Sequence, residues 1–544
     1  MKTTLPPHHP PQNTQRPECL QWSDARWAEE AEKARNTGDT QAIQDLVTES
    51  FRLGDKRGDS KSRLKYNDFL DVTDQILHFP EVQFAPDSET RTRLEAFPES
   101  LREYYRPEVA PDWIDSDRLH QANRIWTENM IPMLMVLYAS SLPSCYLAGL
   151  GIPALFATGK LRRSEYISQR LYETALMIDD VMRSGGMSCD PDLPSEAKDS
   201  LPRRYLWGPG FIAAKKVRLL HESVRHHLLN PPPSDEDFHW DSQKYHAPIN
   251  QLDLAYTLLT FGYCLTKGAE HWGVRLSESD RDAMIHLWRV VGHLMGVDER
   301  YLADNWNDAT LVYQKLQKTI YHPTHESVAL TNAVRHFVSG FLPLNRKQHS
   351  WFATALIYDQ MGPDLAKVLL PCHDYDVQQS PLSQLARQTL LSAARAYHFV
   401  RDEAFEIAPG LRSIFVNAFA QNARVFYHSF RAAVRRDPFD FSKSIGVWTP
   451  KHGANEAFRK ELKQWRHRLF RQIVGGIGLF VVSLGLTPLS LILFLSVGPN
   501  VGFATLAAAM IAGVTSLEIL NEDSKTFLAT RPKPAIKPQP QKDS

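Results

Sequence analysis

The sequence predicts an all-α protein that ends in a transmembrane helical hairpin, and three observations support this fold class. Between residues 107 and 441 most apolar residues recur with a period of 3.6, and period-2 strand patterns are nearly absent. Polar, proline-bearing loops at 183–202 and 229–237 separate the helical stretches. No charged residue occurs from Gln472 to Leu517, a run longer than the ~20 residues that a membrane-spanning helix needs.

The N-terminal part divides into a tail and an extension. The opening MKTTLPPHHPPQNTQRPE is polar and proline-rich, so residues 1–20 are predicted to be disordered, with neither a signal peptide nor an anchor. Residues 21–106 contain two helical patterns, ARWAEEAEKARN and TQAIQDLVTESFRL. We interpret them as a helical extension of unassigned role.

Residues 107–441 form a segment of catalytic-domain size. Its helical patterns are RLHQANRIWTENMIPMLMVLYA, SEYISQRLYETALMIDDVM, LDLAYTLLTFGYCL, RDAMIHLWRVVGHLMGV and SIFVNAFAQNARVFYHSFRAAVRR. Basic and acidic residues are equal at 62 each, so nucleic acid is not an expected partner. The 5 cysteines are scattered without a C-x-x-C pair, which argues against a disulfide framework and a zinc knuckle.

The uncharged run predicts a transmembrane hairpin over residues 472–520, with a turn at the GPN of 498–500. A basic linker, 442–471, precedes it, and a polar Lys/Pro tail that we expect to be disordered, 521–544, follows. By the positive-inside rule both flanks, and the large N-terminal region with them, face the cytosol. The alternative is a buried helical hairpin of a soluble protein.

The stretch VRLLHESVRHHL at 217–228 holds the histidine that most needs an explanation. At ~100° per residue, one apolar stripe of this helix consists of Val217, Leu220, Val224 and Leu228. His221 falls within its span, and the residues expected to point away are Arg218, Glu222, Arg225 and His226. Burying an unpaired imidazole costs roughly 1–3 kcal/mol. His221 is therefore either a satisfied core histidine or a ligand.

A second helix carries charge on its apolar face. Within SEYISQRLYETALMIDDVM the stripe includes Arg170 and Thr174, while Glu173 projects about 100° to the side. Arginine cannot lose its charge, so a buried Arg170 needs an anionic partner, either a carboxylate of the protein or a ligand.

A third polar cluster opens the apolar helix that follows APIN. Its members are Asn250, Gln251 and Asp253. Capping of the helix by Asn250 or Gln251 is a sufficient explanation for the first two.

Three metal templates fail on this sequence. His226 follows His221 by five residues, whereas the zinc motif H-E-x-x-H needs i and i+4. Asp179-Asp180 lacks the third aspartate of D-D-x-x-D, which disfavours a terpene cyclase. Cys145 lacks the glycine- and arginine-bearing context of a thiolate-bound haem, which disfavours a cytochrome P450.

Five stretches, in order, resemble the latex-clearing-protein and MpaB-type oxygenase family: SLPSCYLAGLGIPALFATGKL, RLYET, GFIAAKKVRLLHESVRHHLL, APINQLDLAYTLLTF and HLWRVVGHLMGVDERYL. The resemblance runs from about residue 111 to 436. It implies a globin-like helical core that holds haem b, with His221 as the axial iron ligand and with Arg170 and Thr174 lining the haem pocket. Glu173 departs from the lysine of some rubber-cleaving members, and we match no residue to the carboxylate proposed there as a base.

The resemblance also implies a function. It predicts a membrane-anchored, haem b-dependent oxygenase that uses O2 to cleave a C=C bond of a lipophilic small molecule, prenylated ones included. His221 is the expected metal ligand, and Arg170 and Thr174 are the expected catalytic and cofactor-binding residues. The expected location is the endoplasmic reticulum membrane with the catalytic domain facing the cytosol. The alternative is a non-catalytic globin-like haem binder or a helical membrane scaffold.

Overall fold

The structure is a computed structural model. It describes residues 16–55, 99–106, 108–157, 164–189, 204–230, 240–339 and 346–410, together with 412, 413, 416, 500, 501 and 505.

The N-terminal helices are α1 (Asp24–Arg35), α2 (Gln41–Asp55) and α3 (Glu99–Tyr104). A 3-10 turn, Glu18–Gln21, comes before α1, although the sequence predicted disorder as far as residue 20. The expectation is wrong for this turn because Cys19 is completely buried in the core. The side chain of Ser23 caps α1 by accepting a hydrogen bond from the Arg26 N–H.

The next group of helices leads to the centre of the fold: α4 (Ser116–Val136), α5 (Leu142–Cys145), α6 (Ile152–Ala157), α7 (Ser164–Met182) and α8 (Pro209–Leu229). A π-helical turn, Leu137–Ser141, joins α4 to α5. The described strands are β1 (Glu108–Val109) and β2 (Tyr205–Leu206), which pair antiparallel with Glu108 opposite Leu206.

The following helices are α9 (Ser242–Tyr245), α10 (Gln251–Leu259), α11 (Leu265–His271), α12 (Glu278–Leu294) and α13 (Trp306–Ile320). A π-helical turn, Thr260–Cys264, joins α10 to α11, and a 3-10 turn, Glu299–Tyr301, comes before α13. A capping box starts α12: Ser277 accepts from the Asp280 N–H, and the Asp280 carboxylate accepts from the Ser277 N–H.

The last described helices are α14 (His325–Ser339), α15 (Arg346–Leu369), α16 (Cys372–Gln379) and α17 (Pro381–Ile407). Helix α15 contains a kink at Gly362, which adopts φ +75° just before Pro363. Only glycine takes this backbone conformation without strain.

The core lies where α4 packs against α12, α7 against α8, and α14 against α15. Trp126, Tyr256 and Phe211 are among its largest fully buried side chains. Helix α2 packs on α8, and α1 packs on α10, so the N-terminal helices cover the central ones. Arg218 of α8 donates to both carboxylate oxygens of Asp39, at 2.8 and 2.6 Å.

The predicted all-α class is confirmed for the described part of the chain, and the helices α4, α7, α10 and α12 occur where the apolar periodicity placed them. The predicted hairpin at 472–520 lies outside the described residues except for 500, 501 and 505. Among the described helices, none combines the length and the apolar character needed to cross a bilayer.

Candidate functional site

Helix α8 carries His221 and begins at a tight crossing. Its N-cap, Gly208, has φ +119°, and a Cβ there would lie 2.6 Å from the carbonyl oxygen of Gly186. Gly210 approaches the backbone of Val181 on α7 equally closely, since a Cβ would lie 2.7 Å from the Val181 Cα. Glycine at both positions lets the start of α8 cross the end of α7 closely.

The expectation that Arg218, Glu222 and Arg225 point away from the core is wrong. Glu222 and Arg225 are buried and form an ion pair one turn apart, and Arg218 pairs with Asp39. The reason is that α2, α7 and α12 all pack on α8, so the helix buries more than the single face that its periodicity indicates.

The guanidinium of Arg225 holds the loop that leads into α10. Its Nε donates to the carbonyl oxygen of Pro248 at 2.9 Å and its Nη2 to that of Ile249 at 2.6 Å. Glu222 takes a third donor. Burial raises the pKa of Glu222, with Arg225 acting in the opposite direction. Arg225 is therefore a clamp between α8 and this loop.

His221 is half-buried, and its Nδ1 atom is buried. Val224 and Leu228, which share its face of α8, pack in one apolar cluster with Ala154 of α6 and with Ile249. The prediction that His221 lies beside a buried apolar stripe is confirmed for the Val224–Leu228 part of the stripe. Its role as an iron ligand stays a prediction.

Helix α7 packs along α8 and supplies the other predicted residues. Leu171, Ile178 and Val181 of its apolar stripe are buried, and Thr174 is half-buried on the same face. The side chains of Arg170 and Glu173 lie outside the described part of the structure. Their predicted roles, and that of Thr174, stay predictions.

The start of α10 confirms one capping prediction. The Asn250 side chain accepts hydrogen bonds from the backbone N–H groups of Leu252 and Asp253, both at 3.1 Å. Gln251 instead ties the helix to its neighbours, because its Nε2 donates to the carbonyl oxygens of Gly38 and Gly296, at 2.8 and 2.9 Å. The cluster is therefore partly structural.

Asp253 is the member of this cluster to which the sequence analysis gave no role. Asn250 Nδ2 donates to its Oδ2 at 2.8 Å. Burial raises the pKa of Asp253 to about 7, against smaller opposing effects of its hydrogen bond with Asn250 and the charges of Arg35 and Arg225. The signal in the sequence was a carboxyl in the first turn of an otherwise apolar helix.

Cys145 at the end of α5 contacts the π-helical turn that follows α10. Its Sγ lies 2.9 Å from the Thr260 Oγ1. Burial raises its pKa to about 12, so at neutral pH the group is a thiol rather than a thiolate.

A second buried polar network joins α4 to α12 and was also missed. His286 Nε2 accepts from the Asp115 N–H at 2.9 Å, and its Nδ1 lies 2.7 Å from Asp304. Arg118 donates to the Asp304 carboxylate at 2.8 Å. Burial lowers the pKa of His286, so the neutral imidazole donates from Nδ1. The groups of this network hydrogen-bond with one another, and we assign the network a role in stabilising the fold.

Among the residues that the structure describes, no group of three or more His, Cys, Asp or Glu side chains is arranged to hold a metal ion. The predicted iron site is of a different kind, since His221 is expected to act as a single donor.

The fold and the site define a helical protein with a half-buried histidine between packed central helices. Residues 154–396 match the family model described as ER-bound oxygenase mpaB/B′/rubber oxygenase, catalytic domain. This match over residues 154–396 confirms the family resemblance that the motifs indicated.

Two individual proteins are similar to the chain. The rubber oxygenase of Streptomyces sp. (strain K30) is 29% identical over 132 residues, which are 24% of this chain and 31% of the relative. The chain thus spans about a third of that relative's length. A solved structure of latex clearing protein in its closed state covers 56% of this chain and 73% of its own, with 21% identity and a TM-score of 0.41.

Proposed function

We propose that this protein is a haem b-dependent oxygenase that uses O2 to cleave a carbon–carbon double bond of an apolar molecule. The observation that carries the proposal is the match of residues 154–396 to an oxygenase catalytic domain, with His221 on a partly apolar face of α8 inside that segment. The reaction balances without a reductant, because one alkene and one O2 contain the atoms of two carbonyl products.

The residues around His221 fit a porphyrin iron. A haem iron takes four nitrogens from the porphyrin and needs only one or two axial ligands from the protein, and neutral imidazole is a common one. Leu220 and Val224, beside His221, belong to an apolar cluster, which suits the apolar faces of the macrocycle. When bound, the haem supplies the O2 chemistry.

The protein's own groups then have distinct roles. His221 holds the iron. Arg170 provides a fixed positive charge, which pairs with a carboxylate or a polar oxygen at the pocket. Thr174, half-buried on the helix packed against α8, offers a hydroxyl as donor or acceptor. This chain has Glu173 at the sequence position where some rubber-cleaving members have a lysine, so a lysine-ligated resting state is not expected.

A lipophilic substrate explains why the enzyme would carry the predicted membrane hairpin. An apolar molecule partitions into a bilayer, and an enzyme anchored at the endoplasmic reticulum by residues 472–520 meets it there. A chain that ends at residue 471 should keep its haem and lose turnover of substrate dissolved in membranes. Unchanged turnover in membranes would contradict the anchoring part of the proposal.

The visible spectrum of the purified protein tests the haem directly. We expect a Soret band in the wild type and its loss or a shifted ligation in His221→Ala. His226→Ala is the matched control, because His226 lies on the same helix about 140° away; its spectrum should equal that of the wild type. A His221→Ala protein with normal haem content and ligation contradicts the assignment, and a haem spectrum without O2 uptake on any alkene supports the non-catalytic binder.

A further inference from the structure

Four aromatic rings form a continuous line through the middle of the fold. Tyr256 of α10 stacks on Tyr313 of α13, with ring centroids 5.4 Å apart and an interplanar angle of 16°. The Tyr313 ring lies 5.0 Å from that of Tyr263, in the π-helical turn after α10. Tyr263 in turn lies 4.7 Å from Trp306, the first residue of α13. Each ring contacts the next, and we call these four residues the aromatic line.

The aromatic line leads from the interior to the surface. Tyr256 is 0% exposed, Tyr263 4% and Tyr313 8%, whereas Trp306 is half-buried. A small molecule in solution therefore meets the line at Trp306. Tyr256, at the opposite end, is enclosed by protein.

Packing alone does not require tyrosine at the three inner positions. Phenylalanine fills nearly the same volume, and a buried phenol needs a hydrogen-bond partner that phenylalanine does not need. Tyr256 donates to the Ser144 carbonyl oxygen at 3.0 Å, and Tyr313 accepts from Gln317 Nε2 at 3.2 Å. Tyrosine and tryptophan are also the aromatic side chains that lose one electron most readily. The line therefore consists of redox-active rings from end to end.

The inner end of the aromatic line belongs to the helix that begins beside α8. Arg225 follows His221 by one turn of α8 and donates to the carbonyl oxygen of Ile249 at 2.6 Å. Helix α10 starts two residues later at Gln251, and Tyr256 lies about 8 Å further along it. Tyr256 is therefore the member of the line that is nearest, along α10, to the helix that carries His221.

We propose that the aromatic line is an electron-transfer relay, which carries single electrons from a small reductant at Trp306 to a one-electron oxidant in the interior. The inference rests on the proposed function for the identity of this oxidant, because haem that reacts with O2 or with a peroxide supplies such oxidants. Cleavage of the alkene itself needs no reductant, so the relay serves another purpose. It returns the protein to its resting state after a failed cycle, before an oxidised centre damages the interior.

Electrons and protons balance along the relay. The interior oxidant takes one electron from Tyr256, whose phenolic proton shifts along its hydrogen bond to the Ser144 carbonyl oxygen. An electron from Tyr313 refills Tyr256, and the proton returns. Tyr313 and Tyr263 pass the missing electron, or hole, outward, and each recovers its phenolic proton when it is refilled. Ascorbate in solution finally gives one electron to Trp306 and one proton to water, so the residues end as they began.

Two cations near the outer end influence where a hole rests. The guanidinium carbon of Arg281 lies 5.8 Å from the ring centroid of Trp306, and Lys267 Nζ lies 5.4 Å from that of Tyr263. An oxidised indole that keeps its N–H proton is a cation, so Arg281 disfavours it. An oxidised tyrosine that has released its proton is neutral. A hole introduced at Trp306 should therefore move inward and rest on a tyrosine.

Flash photolysis of the full chain tests the relay directly. A ruthenium polypyridyl photosensitiser is attached at Asn307→Cys, an exposed position beside Trp306, and the exposed Cys372 is replaced in Cys372→Ser. With a cobalt(III) quencher, light converts the label into an oxidant that takes one electron from Trp306. We expect the optical and electron paramagnetic resonance signals of a tyrosyl radical to follow. A hole that stays on Trp306, or no tyrosyl radical at all, overturns the proposal.

A variant in the middle of the line separates the relay from ordinary packing. Tyr263→Phe keeps the ring and removes the redox-active group between Trp306 and Tyr313, so most of the tyrosyl signal should be lost while Trp306 is still oxidised. Tyr358→Phe, at a buried tyrosine of α15 outside the line, is the matched control and should give the full signal. A full signal in Tyr263→Phe contradicts the relay.

A second attachment point detects general damage by the variant. With the photosensitiser on Cys372 in the natural sequence, holes enter the protein at α16 instead of at Trp306. Tyr263→Phe should then leave the yield of protein radicals unchanged. An equal loss from both attachment points would show that the effect does not depend on the aromatic line, and it overturns the proposal.

The haem-loaded protein gives an independent readout. Hydrogen peroxide should bleach the Soret band, and ascorbate should slow the bleaching in the wild type and in Tyr358→Phe more than in Tyr263→Phe. Equal protection of all three proteins contradicts the relay. If holes travel from Trp306 to a tyrosine but the purified protein holds no haem, the proposed function fails and the relay stands. If haem is present and Tyr263→Phe transmits holes like the wild type, the relay fails and the proposed function stands.

Discussion

Asp253, which is half-buried, and Asp304, which is buried, are two carboxyls whose pKa values shift in opposite directions. Burial disfavours the charged form of both. At Asp304 the hydrogen bond from His286 and the charge of Arg118 outweigh burial and lower the pKa to about 2. At Asp253 burial wins and the pKa rises to about 7.

The difference lies in partners rather than in depth. Asp304 receives a guanidinium and an imidazole, and removing the anion from such a buried group of partners is strongly destabilising. Asp253 receives a hydrogen bond from one neutral amide, that of Asn250. Perturbed carboxyls with incomplete partners tend to occur at functional sites. The comparison therefore separates a carboxylate held by charged and imidazole partners at α12 from a carboxyl held by a neutral amide at α10.

The largest effect is expected from Asp304→Ala. Its removal leaves Arg118 and His286 buried without their anion, which costs about 3–5 kcal/mol of unfolding free energy. Urea denaturation of the full chain measures this loss. Glu299→Gln, which breaks the exposed pair with His293, is the control and should change stability by less than about 1 kcal/mol. A loss at Asp304 no larger than the control value would show that this network does not stabilise the fold.

The contribution of the Asp304 carboxylate to stability should also weaken in acid. The folded-state pKa of Asp304 lies below its ordinary value of 3.8, so its contribution is present above about pH 4 and is lost as the pH falls through 4 towards 2. Wild-type stability should drop over this window more steeply than that of Asp304→Asn. Parallel curves for the two proteins would contradict the assignment.

The pH dependence of stability should have the opposite sign at Asp253, and Asp253→Asn tests this. A raised folded-state pKa means that ionisation destabilises the fold, so wild-type stability falls as the pH rises from about 4 through 7. The variant removes this penalty and should exceed the wild type by about 1 kcal/mol or more at pH 8, with no such gain at pH 4. Thermal unfolding at the two pH values measures the difference, and a gain of equal size at both pH values would show that ionisation is not its cause.

The smallest effect is expected from Gly151→Ala. The added methyl meets the Asp253 carboxyl at 3.0 Å and should cost about 1 kcal/mol of unfolding free energy. Gly410→Ala, where a Cβ meets nothing within 4 Å, is the control. Urea denaturation measures both variants, and a loss of stability in Gly151→Ala no larger than that of the control would show that the carboxyl accommodates the added methyl without cost.

Much of the fold was predictable because it follows from local sequence patterns. The 3.6 periodicity located α4, α7, α10 and α12, and the residue type at position 250 predicted the cap that Asn250 makes. The ordered motifs indicated the family that the match over 154–396 confirms. Helix α8 was predicted as a helix, but its burial was not.

By itself, the sequence determined the helices, one cap, the family and the residues expected to hold a haem, because backbone hydrogen bonding and apolar periodicity depend on neighbours within a few turns. Only the tertiary structure decided that Glu222 and Arg225 are buried, that Gly151 approaches Asp253, and that Asp253 and Asp304 titrate in opposite directions. The physical reason is that desolvation and charge pairing depend on side chains from distant helices, whose positions no local pattern records.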